Sequence, residues 1–423
     1  MKIMTYEEYQ SEDKTMHEKR NEEIDQAVLE IIGEVRRNGD EALYKYAEKF
    51  DRVNLESLTV SEAEFEEALQ LVSVDFIEAI KTAKANIEQF HRAQTEKSWF
   101  FNKPNGVMLG QQVTPMDRAG VYIPGGKAAY PSTVLMNLIP AQIAGVPSIY
   151  IATPPQSDGK INPHVLAAAK SIGVTAVFKM GGAQAVAAFA YGTETVNKVD
   201  KIVGPGNDYV ARAKKWVYGD VAIDMIAGPS EICIVADETA RADYVAADLL
   251  SQAEHDEAAT SICITTSRNF AQQIADEVKK QLALLERREI AGQSIQTNGK
   301  IIIVDTMEEA FALVNTIAPE HLQLMIENAT DHLPDVKHAG AIFLGNYSPE
   351  PLGDYLAGPN HTLPTSGTAK FASPLGVYDF MKKSSIIRYT QTALLKEAKH
   401  IETLANMEGL GAHAKSIEIR RKS

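Results

Sequence analysis

Cysteine is nearly absent from this chain of 423 residues, which has only Cys233 and Cys263. A disulfide framework is thereby excluded as its organising principle, and a chain of this length needs none. Each cysteine sits in an apolar alternation, Ile232-Cys233-Ile234 and Ile262-Cys263-Ile264, which predicts buried strands. Apolar burial raises a thiol pKa, so neither is expected to act as a nucleophile. Also lacking is any apolar run long enough to span a bilayer. Met1 to Asp13 is charged throughout and lacks the apolar stretch of a signal peptide. Positive charge is in deficit as well. With 42 Lys and Arg against 56 Asp and Glu, the formal net charge is −14, and no basic face is available for a phosphate backbone. Arg420, Arg421 and Lys422 cluster only at a solvated terminus. These absences predict a cytoplasmic protein with neither nucleic acid nor a membrane as partner.

What remains is ordinary globular material, 45% hydrophobic and 23% charged, in a chain long enough for more than one domain. Residues 1–26 are polar and helix-prone, and read as an arm that packs on something else, such as a partner subunit. From Ile24 to Phe50 apolar residues recur at helical spacing (Ala27, Val28, Ile31, Ile32, Val35), and Arg37-Asn38-Gly39 closes that helix. Further helices are predicted over 61–71 and 74–94. Near Val107 the character changes. Short strands at 113–115, 119–123, 149–152 and 176–179 alternate with helices at 132–144, 164–171 and 183–191 across Gly/Pro turns, which indicates βαβ units and a parallel sheet. The rhythm returns downstream: helix 242–254, strand 261–265, helix 269–286, strand 300–304, helix 307–314 and strand 322–325. A shared helix-then-strand order in 137–153 and 248–265 points to a duplicated α/β half. Residues 346–376 are rich in Gly, Pro, Ser, Thr and Asn, and a loop this long inside a compact chain is expected to be functional. Residues 377–423 close the chain with a helix over 390–407.

Of the ten histidines, His17, His91, His164, His332, His338 and His400 read as polar or helical surface, whereas His255, His321, His361 and His413 lie in unusual settings. Gln252 and His255 are spaced to share one helix face, so both could ligate one divalent cation. Asp354, His361 and His413 are candidate further donors. Spacing leaves the question open, because distant His and Asp residues co-occur by chance in most chains. Glu320-His321 is a sharper local signal: Pro319 restricts the backbone before it, and a carboxylate beside an imidazole offers two proton acceptors tunable separately. A helix-start Glu followed by a half-buried His fits the same pattern equally well. Three glycine turns follow apolar runs, Gly181-Gly182, Gly204-Pro205-Gly206-Asn207 and Gly228-Pro229-Ser230-Glu231, and together they suggest one crevice for a nucleotide at the ends of a sheet. Plain tight turns would look the same.

Taken together, the ordered set of motifs resembles the histidinol dehydrogenase family along essentially the whole chain. The segments that carry it are Tyr122-Ile123-Pro124-Gly125-Gly126, Gly181-Gly182-Ala183-Gln184-Ala185, Lys201 to Asn207, Ala227-Gly228-Pro229-Ser230-Glu231, Gln252-Ala253-Glu254-His255, Pro319-Glu320-His321-Leu322, Gly353-Asp354-Tyr355 through Gly358-Pro359-Asn360-His361, and Glu408 through His413. The resemblance implies oxidation of L-histidinol to L-histidine through the aldehyde, with NAD as co-substrate and one zinc ion per subunit. By motif, it implies that Gln252, His255, Asp354 and His413 are zinc ligands, with His413 supplied by the other subunit of a homodimer with shared active sites. It implies NAD contacts from Tyr122, Gln184 and Asn207. Around the substrate it implies Ser230, His321, His361 and Glu408 beside the zinc ligands. A neutral His321 is then expected to take the alcohol proton, and Glu320 to activate the water that hydrates the aldehyde. The competing reading is an NAD- and zinc-dependent dehydrogenase of another small primary alcohol.

The fold expected from all this is α/β: two incomplete Rossmann-like parallel-sheet domains related by duplication, with helical N- and C-terminal arms. The expected limits are an arm over 1–26, a first α/β domain over 27–112 plus 237–345, a second, NAD-binding domain over 113–236, an active-site loop region over 346–376 and a C-terminal arm over 377–423.

Overall fold

A computed structural model describes residues 1–11, 18–125 and 129–422, with backbone alone for 18–21. His17 and Gly126, named above, lie outside the described residues. The chain forms two compact units, Met1–Gln94 with Met116–Phe380, and Thr95–Pro115 with Met381–Ser423.

In chain order the elements begin with β1 (Lys2–Thr5), α1 (Tyr6–Gln10), α2 (Glu18–Tyr46), a π-helical turn Ala47–Asp51, α3 (Glu62–Leu71), α4 (Val74–Arg92), β2 (Trp99–Asn102) and β3 (Met108–Pro115). The middle of the chain holds β4 (Arg118–Tyr122), α5 (Pro131–Ala144), β5 (Ser148–Thr153), α6 (Pro163–Ile172), β6 (Ala176–Lys179), α7 (Gly182–Tyr191), β7 (Lys201–Val203), α8 (Asp208–Val217) and β8 (Ala222–Ile223). Then come β9 (Glu231–Ala236), α9 (Ala242–Ala253), β10 (Thr260–Thr265), α10 (Arg268–Leu282), α11 (Arg288–Thr297), β11 (Lys300–Ile303), α12 (Met307–Ile317), β12 (His321–Met325) and β13 (Ala341–Leu344). The last elements are α13 (Glu350–Tyr355), β14 (Met381–Arg388), α14 (Gln391–Met407) and α15 (Gly411–Lys422).

The first unit holds two parallel sheets. One runs β6-β5-β4-β7-β8 and the other β1-β11-β10-β9-β12-β13. Numbered by appearance, β4 to β8 and β9 to β13 both take the order 3-2-1-4-5 of a Rossmann-like sheet, with β1 added at one outer edge. The fold is therefore the expected α/β pair of Rossmann-like sheets, and a common strand order is what a duplicated half would leave. Their strands are apolar on both faces because helices cover both. In β9, Ile232, Ile234 and Ala236 enter one core cluster while Cys233 and Val235 enter the cluster on the opposite face. Both cysteines are free and buried, and burial pushes their thiol pKa values up, that of Cys263 to about 12. The second unit contains an antiparallel sheet, β14-β3-β2, and the helical pair α14 and α15.

Several elements differ from the sequence reading. The N-terminal segment begins as a strand, since Lys2–Thr5 pairs in parallel with β11. β9 is central in the six-stranded sheet, between β10 and β12, although it falls within the span 113–236 expected to build the other sheet. A strand apolar on both faces needs neighbours on both edges, and that position supplies them. Helix α2, expected with the downstream sheet, instead buries Ile24, Val28, Ile31, Ile32 and Val35 in the core around Phe189 and Val210 of the five-stranded one. Gly39 does interrupt α2, with φ 52° and ψ −128°. The positive φ there favours glycine, and an added Cβ would also displace the Glu194 carboxylate that accepts the Asp40 N–H. His91 is fully buried in α4, its Nδ1–H donating to the Ile87 carbonyl at 2.9 Å, and is not surface. Among the described residues no helix is long and apolar enough to cross a membrane.

Candidate active site

Helix α12 ends where Ala318 turns left-handed (φ 52°), and Pro319 forbids a further turn. The chain enters β12 immediately, which places Glu320 at the last loop position and makes His321 the first strand residue. His321 pairs opposite Ile232 of β9, so the peptide of the preceding Glu231 faces both side chains. The Glu231 N–H donates to Glu320 Oε2 at 2.8 Å, and the Glu231 carbonyl accepts from His321 Nδ1–H at 3.0 Å. Glu320 Oε2 and His321 Nδ1 lie 3.6 Å apart, both residues buried. A carbonyl can only accept, so Nδ1 keeps its proton and a neutral His321 carries its lone pair on Nε2. That Nε2 is buried with no hydrogen-bond partner among the described residues, the placement a general base requires.

Facing it is α13, on which Glu350 and Asp354 share one face. One donor atom from each of His321, Glu350 and Asp354 lies within 4.8 Å of the others. Asp354 Oδ1 is 3.8 Å from both His321 Nε2 and His361 Nδ1, and His361 Nδ1–H donates to the Asp354 carbonyl at 3.1 Å. Burial opposes charge on Asp354, but the two imidazoles outweigh it and hold its carboxyl well below the usual range. Glu350, buried beside that charge, is pushed up to about 8. Burial likewise lifts Glu320 to about 7 against the pull of His321. For His321 burial disfavours the proton, yet Glu320, Asp354 and Glu350 together overcome it and raise the imidazole to about 10. Those acidic neighbours favour the proton on His321, whereas the sequence reading expects a neutral imidazole.

Gln252, at the end of α9, and His255 just beyond it are in contact, Gln252 Nε2 to His255 Nδ1 at 3.2 Å. His255 is also close enough to His361 for its charge to disfavour a proton there. Gln252 Oε1 and Glu350 Oε1 join His321 Nε2 as buried polar atoms without a partner among the described residues. Each such atom costs roughly 1–3 kcal/mol unless a ligand takes it. An amide oxygen, imidazole nitrogens and carboxylates suit a borderline divalent cation, so these residues fit a metal. Ser230 is half-buried at the entry to β9, its carbonyl accepting the Thr260 N–H at 2.9 Å.

The nucleotide candidates gather elsewhere in the same unit. Tyr122, Gln184 and Asn207 line one cleft of about 1060 Å³ at the carboxyl ends of β4, β6 and β7. The Tyr122 hydroxyl accepts the Gly182 N–H at 3.1 Å, which fixes the turn before α7. Gly204 has φ 112°, and a Cβ there would lie 2.1 Å from the Tyr122 carbonyl oxygen, so this turn packs directly on the end of β4. Beneath it Lys214 and Asp224 form a fully buried ion pair, with Lys214 Nζ donating to the Gly204 carbonyl and Asp224 accepting the Gly204 N–H at 2.8 Å. Glu408 ends α14 and His413 lies in the first turn of α15, both exposed and both in the second unit.

A family model described as histidinol dehydrogenase matches residues 14–421. The chain belongs to the histidinol dehydrogenase family. It is 60% identical over 404 residues to the histidinol dehydrogenase of Oceanobacillus iheyensis, covering 96% of this chain and 95% of that one. To the Bacillus subtilis histidinol dehydrogenase it is 54% identical over 401 residues, covering 95% and 94%. The crystal structure of histidinol dehydrogenase from Elizabethkingia anophelis superposes with a TM-score of 0.93 at 40% identity, covering 100% of this chain and 98% of that one. Family membership makes the chain an oxidoreductase. Two residues were given no role by the motif reading: Glu231, named there only as part of the Gly228 turn, meets the pair through its backbone, and Glu350 shows only as a glutamate four residues before Asp354.

Proposed function

We propose that the protein oxidises L-histidinol to L-histidine by way of L-histidinaldehyde, closing histidine biosynthesis in the cytoplasm, with NAD as hydride acceptor and zinc as metal. The observation that carries this is the Glu231 peptide, which orients Glu320 and His321 together beside unpartnered donors around Asp354.

Gln252, His255 and Asp354 would hold the zinc with His413 of the partner subunit. Bound there, zinc would supply positive charge that orients the nitrogen donors of the substrate. His321 Nε2 then takes the alcohol proton as hydride leaves the carbon. Glu320, poised near neutrality and held by the Glu231 N–H, takes a proton from the water that hydrates the aldehyde; the hydrate then gives its hydride to a second NAD and a hydroxyl proton to His321, which has released the first. Ser230, His361 and Glu408 would complete the substrate site. Tyr122, Gln184 and Asn207 would contact NAD, a reading supported by their shared cleft at the strand ends. A second copy of the chain as partner is supported by the exposed aromatics Trp99, Phe100 and Phe101 of β2 in the unit that carries His413.

The test is chelation and metal return. Protein stripped with a chelator should form no NADH from histidinol and NAD, and added zinc should restore it, while a simple primary alcohol such as ethanol gives none. Zinc-independent turnover, or equal turnover of ethanol, would defeat the proposal.

A further inference from the structure

The nucleotide cleft lacks the acid that a Rossmann-like sheet ordinarily places over the adenosine ribose. That acid follows the first glycine turn by about 20 residues, at the end of the second strand, where it accepts the ribose hydroxyls. Here there is no Asp or Glu anywhere from Ala119 to Gln156, and β5 runs out into Thr153-Pro154-Pro155. Asp158 comes later, is exposed, and accepts the Lys160 N–H at 3.0 Å.

A carboxylate reaches the cleft from a different part of the chain. The π-helical turn ends at Asp51, where Arg52 turns left-handed (φ 59°). The segment after it runs antiparallel along the edge of β6, with the Lys179 N–H donating to the Leu58 carbonyl at 2.7 Å and the Val60 N–H to the Val177 carbonyl at 2.9 Å. That register carries the preceding residues past the carboxyl end of β6, and Asp51 lines the cleft. Asp51 Oδ2 is sealed from solvent with no hydrogen-bond partner among the described residues. Glu34, in the same wall, is instead engaged by Lys45 and Tyr46. Among the described residues lining the cleft, Lys49 is the only cation, against Glu30, Glu34 and Asp51.

We infer that Asp51 is the specificity-determining residue for the dinucleotide, accepting the adenosine ribose hydroxyls of NAD and excluding the 2′-phosphate of NADP. The assignment rests on the NAD reading above. A buried acceptor with no partner is matched by a hydroxyl and opposed by a phosphate, which would bring a second anion against it.

The experiment has a binding arm and a kinetic arm, both on the full-length zinc-loaded protein. ADP-ribose and 2′-phospho-ADP-ribose are titrated calorimetrically, and kcat and KM for NAD and NADP are measured for wild type, Asp51→Asn and Asp51→Ser. Wild type should bind ADP-ribose at least ten-fold more tightly than its 2′-phosphate. Asp51→Asn should raise KM for NAD by about ten-fold, far more than it lowers kcat, and Asp51→Ser should narrow the gap between NAD and NADP. Equal binding of the two probes by wild type overturns the inference even if neither variant folds, and so does an unchanged NAD-to-NADP ratio in both variants. Discrimination between the probes without NADH formation from histidinol would instead sink the substrate reading and leave Asp51 in place. Failure to bind either probe would sink the nucleotide reading and this inference together.

Discussion

The backbone of Glu231 organises the proposed chemistry more than any side chain does. The Glu231 N–H fixes Glu320 and the Glu231 carbonyl fixes His321, so the two acceptors are oriented by the backbone of one residue at a strand entry. Removing either acceptor should spare this scaffold and cost the proton transfers alone. Glu320→Gln and His321→Asn are each expected to lower the rate of NADH formation from histidinol by about 10² to 10⁴ while leaving NAD binding near wild type. Activity within a few-fold of wild type in either variant would remove that residue from the mechanism. The pair itself was legible in the sequence because Pro319 and the apolar run after it mark a loop-to-strand junction. The upward push on the His321 imidazole was not, because the groups that raise it include Asp354 and Glu350 as well as its neighbour, and only the fold brings α13 beside β12. Nor was Glu350, since a buried glutamate and a solvated one read alike in a chain with 56 acidic residues.

Among the elements, the alternation of apolar runs with Gly/Pro turns made both parallel sheets readable, and Ala176–Lys179 was placed to the residue. β1 was not readable: four residues, Lys-Ile-Met-Thr, become a strand only because β11, far along the chain, offers an edge. Membership of β9 and packing of α2 were likewise set by nonlocal partners. The turn Gly204-Pro205-Gly206 shows how an element can depend on what lies beneath it. Lys214 and Asp224 hold that turn from inside the protein, which leaves the lysine facing its carboxylate and the Gly204 carbonyl. Lys214→Met should strand a buried carboxylate and destabilise the protein by about 3–5 kcal/mol in denaturant titrations, whereas the double change Lys214→Met with Asp224→Leu should recover part of that loss. A double variant no more stable than the single one would show that the pair does not govern the turn.

At the scale of the molecule, the six-stranded sheet departs from the usual use of its fold. Its proposed site lies at the entry ends of β9 and β12, where Glu231 and His321 begin their strands, while the five-stranded sheet offers its cleft at the carboxyl ends. Duplicated sheets of one strand order thus present opposite ends to the two proposed ligands. The proposed site is also incomplete in one chain, because His413 would come from the partner subunit. Mixing refolded Glu320→Gln with His413→Asn should therefore restore activity, since each hybrid dimer contains one site with both residues intact. Random reassociation puts half the dimers in hybrid form, so the recovery expected is about one quarter of wild type. No recovery, with hybrid dimers confirmed by mass, would place His413 in the site of its own chain, and an active His413→Asn homodimer would place it outside the site.

In the proposed mechanism one site performs both oxidations, with His321 taking the alcohol proton and Glu320 serving the hydration step between them. The most direct measurement is the stoichiometry of complete turnover, NADH formed per histidinol consumed, with a carbonyl trap present to catch free aldehyde. Two NADH per histidinol, with no trapped aldehyde, is the predicted result. One NADH per histidinol with aldehyde accumulating in the trap would contradict it.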